Sequence, residues 1–275
     1  MGPTDALRPP ATGRPAAFFD LDKTIIAKSS TLAFSRSFYD GGLISRGSVL
    51  RSAYAQFVYL VGGADHDQME KMREFLSDLS TGWDVQTVRD IVADALHHIV
   101  DPLVYDEAVS LIEEHRLAGR DVVIVSASGA EVVEPIGEML GADAVIATRM
   151  EVAEGKYTGA IGFYAYAENK ASAIQELAEL KGYDLSRSYA YSDSMTDVHM
   201  LEIVGHPYAV NPDRELRRIA MSRGWPVLWF SRPVALTRRM RLPSSRPTLA
   251  AIALGTAVSV GGAVYLAARR RTSQA

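Results

Sequence analysis

Ala16-Ala17-Phe18-Phe19-Asp20-Leu21-Asp22-Lys23-Thr24 is the stretch on which the reading of this chain turns. Its apolar run, Ala16 to Phe19, reads as a short buried strand that stops at two carboxylates one residue apart. A buried parallel strand takes apolar side chains on both faces. Charges at its end therefore belong at the carboxyl edge of a sheet, where open α/β folds bind their ligands.

Outward from that strand the hydrophobic period changes. From about residue 28 to 100 the apolar residues recur at helical spacing: Leu32, Phe34 and Phe38, then Tyr54, Phe57, Val58 and Leu60, then Met69, Met72, Phe75 and Leu76. Asp84 is placed to cap a further helix whose inward face is Val85, Val88, Ile91, Val92 and Leu96. No strand-like run interrupts this segment, so it is expected to be a helical cap inserted after the first strand. Alternation then resumes. A helix over 106–117 leads to the buried strand Val122-Val123-Ile124-Val125 and the polar Ser126-Ala127-Ser128-Gly129. A helix over 131–140, interrupted or kinked at Pro135, precedes a short strand over 144–147 and a hairpin over 152–161 turning at Glu154-Gly155. A helix over 169–181 leads to the strand Tyr189-Ala190-Tyr191 and then Ser192-Asp193-Ser194-Met195-Thr196-Asp197. A strand over 208–210, a helix over 215–220 and a strand over 227–230 follow. Strands alternating with helices predict an α/β, Rossmannoid, largely parallel sheet with helices on both faces.

In such a sheet the strand ends lie along one rim. Asp20 and Asp22, Ser126, and Asp193 with Asp197 are each predicted at a strand end, and Lys170 opens a helix. Taken singly, Ser126 could be a helix cap, Lys170 a solvated surface lysine, and Asp193 and Asp197 a cap and a helix-dipole partner. Together, in this order, they form the set that phosphoryl transfer needs. Asp20 would attack phosphorus and carry the phosphoryl group. Asp22 would protonate the leaving alkoxide and then activate water. Mg2+, which prefers carboxylate and carbonyl oxygens, would bridge Asp20 and the phosphate, with Asp22 and Asp193 completing the protein ligands. Ser126 and the Ala127 amide would hold the phosphoryl oxygens, and Lys170 would neutralise nucleophile and phosphate at close range.

The segments FFDLDKT, VIVSAS, the lysine of ENKASAI, and YSDSMTD, with Ala209-Val210-Asn211-Pro212 after them, resemble the haloacid-dehalogenase-like superfamily and its phosphoserine-phosphatase-like subfamily IB. The resemblance spans about residues 16 to 230. It implies a Rossmannoid core with a helical cap after the first motif, Mg2+, and the roles just given, with Asp197 orienting Lys170 or a metal-bound water. Two positions depart from the phosphoserine phosphatases. The glutamate that binds the substrate ammonium there corresponds to Ser29, and Thr196 stands where those enzymes usually have asparagine. The expected activity is a Mg2+-dependent phosphomonoesterase acting on a small organic or lipid phosphate. The alternatives are a true phosphoserine phosphatase and a membrane-tethered interaction or regulatory protein that keeps the fold.

The 275 residues suffice for one sizeable core and a smaller second unit. A net charge of -4 argues against nucleic acid as a partner, and the absence of cysteine excludes disulfides, thiolate metal sites and thiol catalysis. The expected organisation is a disordered leader over 1–14, a core over 15–27 and 101–232, and the cap over 28–100. A basic linker over 233–247, a transmembrane helix over 248–268 and a basic tail over 269–275 complete it. The membrane reading rests on roughly 21 uncharged residues, about 31 Å as a helix, bracketed by Arg246 and Arg269. It predicts a single-pass membrane protein with the catalytic domain on the cytoplasmic side. Ala251, Gly255, Ser259, Ala263 and Ala267 repeat every four residues, a stripe expected to pair two such helices in a homodimer.

Overall fold

The computed structural model describes residues 13–44 and 77–233. Helices expected over 49–61 and most of 65–79 lie outside these residues, as do nearly all of the leader and everything after 233. Seven strands form one sheet: β1 Ala16–Asp20, β2 Asp121–Gly129, β3 Ala144–Ala153, β4 Lys156–Phe163, β5 Tyr189–Ser192, β6 His206–Val210 and β7 Val227–Leu228. Their spatial order is β4-β3-β2-β1-β5-β6-β7. Every neighbouring pair is parallel except β3 with β4.

β1 sits at the centre, Phe19 pairing with Ile124 of β2 on one side and with Tyr191 of β5 on the other. All five of its residues are buried, which is why its apolar run is unbroken rather than alternating. Successive side chains point to opposite faces. Phe18 faces a core of Val123, Val125, Ile174, Ala190, Met200, Leu201 and Leu216. Phe19 faces the other way, stacked on Tyr191 with ring centroids 4.5 Å apart and meeting His115 edge-on at 5.8 Å.

The helices are α1 Ser30–Ala33, α2 Ser35–Asp40, α3 Val85–Ile99, α4 Asp106–Leu117, α5 Ala130–Leu140, α6 Glu168–Lys181, α7 Val198–Glu202 and α8 Arg214–Arg223. The first three fall between β1 and α4, and the Asp84 carboxylate accepts from the Thr87 amide at 2.8 Å to cap α3. The buried face of α3 is Val85, Val88, Val92 and Leu96, while Ile91, also expected inward, is half-buried. α5 runs through Pro135 to a left-handed Gly141. It lies so close to β3 that a Cβ on Gly137 would sit 2.6 Å from Val145 Cγ2. The hairpin turns on Glu154 (φ 50°) and Gly155 (φ 76°), with Ala153 paired to Lys156. Two left-handed residues match the twist of the flanking strands, so the short strand expected at 144–147 runs straight into the hairpin.

His115 is fully buried between α4 and the sheet. Its Nδ1 accepts from Arg120 Nε at 2.7 Å, so Nε2 carries the proton toward Tyr191 Oη at 2.8 Å. Burial foremost, and then the Arg120 charge, pushes the imidazole down to about 3. The unfolded chain therefore binds a proton between about pH 6.5 and 3 that the folded one refuses. Stability contributed by neutral His115 is fully present above about pH 6.5 and is lost as pH falls toward 3. Chemical denaturation between pH 7 and 4 is expected to show a fall in unfolding free energy that is shallower in His115→Gln.

The C-terminal expectation is corrected. Among the described residues no helix is long and apolar enough to cross a membrane, and the stretch 248–268 lies outside them. Thirteen of the 21 residues in this run are alanine, glycine, serine or threonine, which contribute less transfer free energy than leucine, isoleucine or valine. The assignment as a single-pass membrane protein is withdrawn. The membrane partner and the helix-paired homodimer that depended on it go with it.

Candidate active site

Parallel pairing puts the carboxyl ends of β1, β2 and β5 on one edge, with the first turn of α6 beside them. Lys170, third residue of α6, reaches between two acids: Nζ lies 2.7 Å from Asp20 Oδ1 and 2.8 Å from Asp197 Oδ2. All three side chains are under 10 % exposed. Ser192, the last residue of β5, donates its hydroxyl to the same Asp197 oxygen at 2.7 Å. The other oxygen, Oδ1, is buried with no hydrogen-bond partner among the described residues. Asp193 is buried in the same loop, and its backbone carbonyl accepts from the Asp213 amide at 2.8 Å. Asp213 also accepts from the Met195 amide at 2.8 Å, so the start of α8 fixes the loop that bears both acids.

Asp22 leaves β1 through a tight turn. The amides of Ile25 and Ile26 both bond the Leu21 carbonyl, at 2.9 and 3.0 Å, and Lys23 is left-handed at φ 60°. The Asp22 carboxylate is held at both oxygens. The Ser30 amide donates to Oδ1 at 2.8 Å, and the Ser128 hydroxyl donates to Oδ2 at 3.2 Å. Ser126 is buried on β2, and its hydroxyl accepts from the Ser128 amide at 3.2 Å. The β2–β3 register shifts between Ser126 and Gly129, so Ala127 lies in an irregular stretch at the edge. Thr148 pins that stretch, donating to the Ala127 carbonyl at 2.7 Å while accepting from the Ala165 amide at 3.2 Å.

Each residue expected from the sequence to act here thus lies on this edge, with Lys170 joining Asp20 to Asp197. Sequence reasoning missed Ser30, Thr31, Ser128, Thr148 and Ser192. Ser128 stands inside the Ser126-Ala127-Ser128-Gly129 run, and Ser30 just past the acidic turn, so proximity to the motifs was the one available signal.

The electrostatics are lopsided. Burial raises Asp20 well above the ordinary carboxylate range; Lys170 pulls it back, and Asp197, Asp193 and Asp22 push it further up. Burial raises Asp22 too, against the Ser30 and Ser128 hydrogen bonds. Asp193 is pushed up to about 7, chiefly by burial, with Lys23 opposing. Burial alone would lower Lys170, but Asp197 and Asp20 hold it above the usual lysine range. Four acids share one buried ammonium, so the edge is short of positive charge. A hard divalent cation fits that deficit and the unpartnered Asp197 oxygen. Among the described residues no three His, Asp or Glu side chains converge into a ready-made metal cage. A metal here would therefore draw on main-chain oxygen, phosphate and water besides Asp20 and Asp193, which suits Mg2+.

Comparison with known proteins gives the fold a family. The family model described as haloacid dehalogenase-like hydrolase matches residues 17–202. The chain is 65% identical over 268 residues to the inhibition of morphological differentiation protein of Streptomyces azureus, covering 95% of this chain and 96% of that one. It is 58% identical over 258 residues to a probable phosphatase of Mycobacterium tuberculosis, covering 94% of this chain and 90% of that one. Its fold matches a phospho-aspartyl intermediate analogue of phosphoserine phosphatase with a TM-score of 0.58 at 18% identity, over 84% of this chain and 100% of that one. The edge of acids around Lys170 is thus set in a known frame, and the chain belongs to the haloacid dehalogenase-like hydrolases as a phosphatase of phosphoserine-phosphatase-like fold.

Proposed function

We propose that the protein hydrolyses a small organic phosphomonoester through a covalent phosphoryl group on Asp20. The observation that carries this reading is the buried Lys170 ammonium, bonded to Asp20 and Asp197 at 2.7 and 2.8 Å beside the Asp22 carboxyl. Lys170 opposes the burial that disfavours charge on Asp20 and lowers the repulsion between its carboxylate and an incoming phosphate dianion. An Asp20 oxygen attacks phosphorus, the bond from phosphorus to the ester oxygen breaks, and Asp22 gives that oxygen its proton. Water then attacks phosphorus and passes a proton back to Asp22. The bond from phosphorus to the Asp20 oxygen breaks, releasing inorganic phosphate and restoring both acids.

Ser126 and the Ala127 amide lie where they can hold the phosphoryl oxygens, and the Thr148 contacts keep that stretch in place. Mg2+ held by Asp20 and Asp193 would supply charge neutralisation for the phosphoryl oxygens. Nine residues after the nucleophile the chain has Ser29, which offers no charge to an ammonium. The reading therefore favours an uncharged leaving group over phosphoserine. Full-length protein is expected to release phosphate from p-nitrophenyl phosphate with Mg2+, and to lose at least about a hundredfold of that rate after chelation, with recovery on Mg2+ addition. Unchanged turnover in excess chelator would sink the metal part of the proposal. Absence of turnover toward any phosphomonoester would sink the whole.

A further inference from the structure

The three hydroxyls around Asp22 belong to two different parts of the chain. Ser30 and Thr31 open α1, the first helix after β1, whereas Ser128 is on β2 at a separation of 98 and 97 residues respectively. Ser30 and Ser128 are both buried. Ser128 Oγ lies 2.8 Å from Ser30 Oγ, 3.2 Å from Thr31 Oγ1 and 3.2 Å from Asp22 Oδ2. A serine hydroxyl has one hydrogen and two lone pairs. With its hydrogen on the Asp22 carboxylate, Ser128 accepts from both Ser30 and Thr31, and its capacity is filled.

The two Asp22 oxygens are thereby made unequal. Oδ1 faces the Ser30 amide, which can only donate, so that oxygen is fixed as an acceptor. Oδ2 faces a hydroxyl: when a proton arrives there, Ser128 can turn its own hydrogen to Ser30 Oγ, since either of that pair can donate, and so accept from Asp22. We infer that Ser128, braced by Ser30 and Thr31, is the positioning residue that sets the Asp22 carboxyl in the orientation from which it protonates the leaving oxygen. The inference rests on the phosphatase reading above. Ser128 touches Asp22 and acts through it. The bracing also makes the first turn of α1 part of the acid's support, so the segment after β1 and the β2 edge must both be in place before Asp22 is aimed.

A positioning role for the acid has a signature that loss of packing lacks. A good leaving group departs without a proton, whereas an alkoxide needs one. Comparing kcat/KM for p-nitrophenyl phosphate and for glycerol 2-phosphate isolates phosphoryl transfer to Asp20, because both values stop at the first irreversible step. Ser128→Ala is expected to lower kcat/KM for the alkyl ester at least about tenfold more than for the aryl ester. Asp22→Asn should show the same selectivity more strongly, and Ser128→Thr, which restores a hydroxyl, should recover part of it. Ser30→Ala and Thr31→Ala, which leave the Ser30 amide in place, should shift the ratio the same way by a smaller factor, and they carry the test should Ser128→Ala fail to fold. Equal slowing of both esters in Ser128→Ala and in the two α1 variants would overturn the inference while leaving the phosphatase reading intact. Failure of the unsubstituted protein to hydrolyse either ester would overturn that reading, and this inference with it.

Discussion

Asp20→Asn is expected to reduce phosphate release by at least about 10^4-fold, to the background of the assay, while leaving the protein folded. The carboxamide has nearly the same shape as the carboxylate but cannot attack phosphorus, so no phosphoryl group can be carried. The effect on stability should run the other way. Burial, then Asp197, Asp193 and Asp22, all disfavour charge on Asp20, and Lys170 opposes them. Removing one negative charge relieves that crowding, and the Lys170 ammonium can still donate to the amide oxygen. A melting temperature equal to or above that of the unsubstituted protein, together with lost turnover, is the expected pair of results. Turnover above about one per cent in Asp20→Asn would refute covalent catalysis at this residue.

Lys170→Met is expected to damage both activity and folding. Methionine is close to lysine in length and volume, so the cavity term is small and the lost charge dominates. Two buried carboxylates lose the cation between them, which costs about 3–5 kcal/mol when one partner of a buried pair is removed. Turnover should fall by about a thousandfold, because the approach of phosphate to Asp20 is then opposed by four acids with no buried counter-charge. The double variant Lys170→Met with Asp20→Asn separates the two effects. If the ion pair is what couples them, the second substitution should return a substantial part of the lost stability and none of the activity. Additive losses in stability would mean that Lys170 supports the fold by packing rather than by its charge.

Much of this arrangement is legible in the sequence because strand ends are legible. The apolar runs before Asp20, Ser126 and Asp193 mark buried parallel strands, and parallel strands must present their carboxyl ends together. Lys170 is readable because it opens a periodic helix next to the third of those ends. The hydroxyl cluster is not readable in the same way. Ser30, Thr31 and Ser128 are common residues whose pairings join chain segments about a hundred positions apart, and no local period encodes such a contact.

Chain ends of elements are equally hard to place. The last strand was expected to continue to Phe230, yet β7 stops at Leu228. The Asn211 side chain takes over there, donating to the Phe230 carbonyl at 3.0 Å and accepting from its amide at 2.9 Å. A side-chain amide has replaced the ladder, a substitution invisible to hydrophobic patterning. The C-terminal run offers mixed signals: its missing charges and basic flanks argue for a span, its many alanines and glycines against one.

The contacts of Lys170 span 150 residues to Asp20 and 27 to Asp197. During synthesis Asp20 emerges first and its counter-charge emerges long afterwards. β1 waits for β2 on one flank, and its other neighbour, β5, follows Lys170 in the chain. Contacts of such high sequence separation form late because loop closure must be paid in advance. A ribosome-bound chain that ends before Lys170 therefore carries the Asp20 carboxylate without the ammonium that joins it to Asp197. Hydrolysis becomes a property of the completed sheet alone, and its onset would time the final docking of β5 against β1.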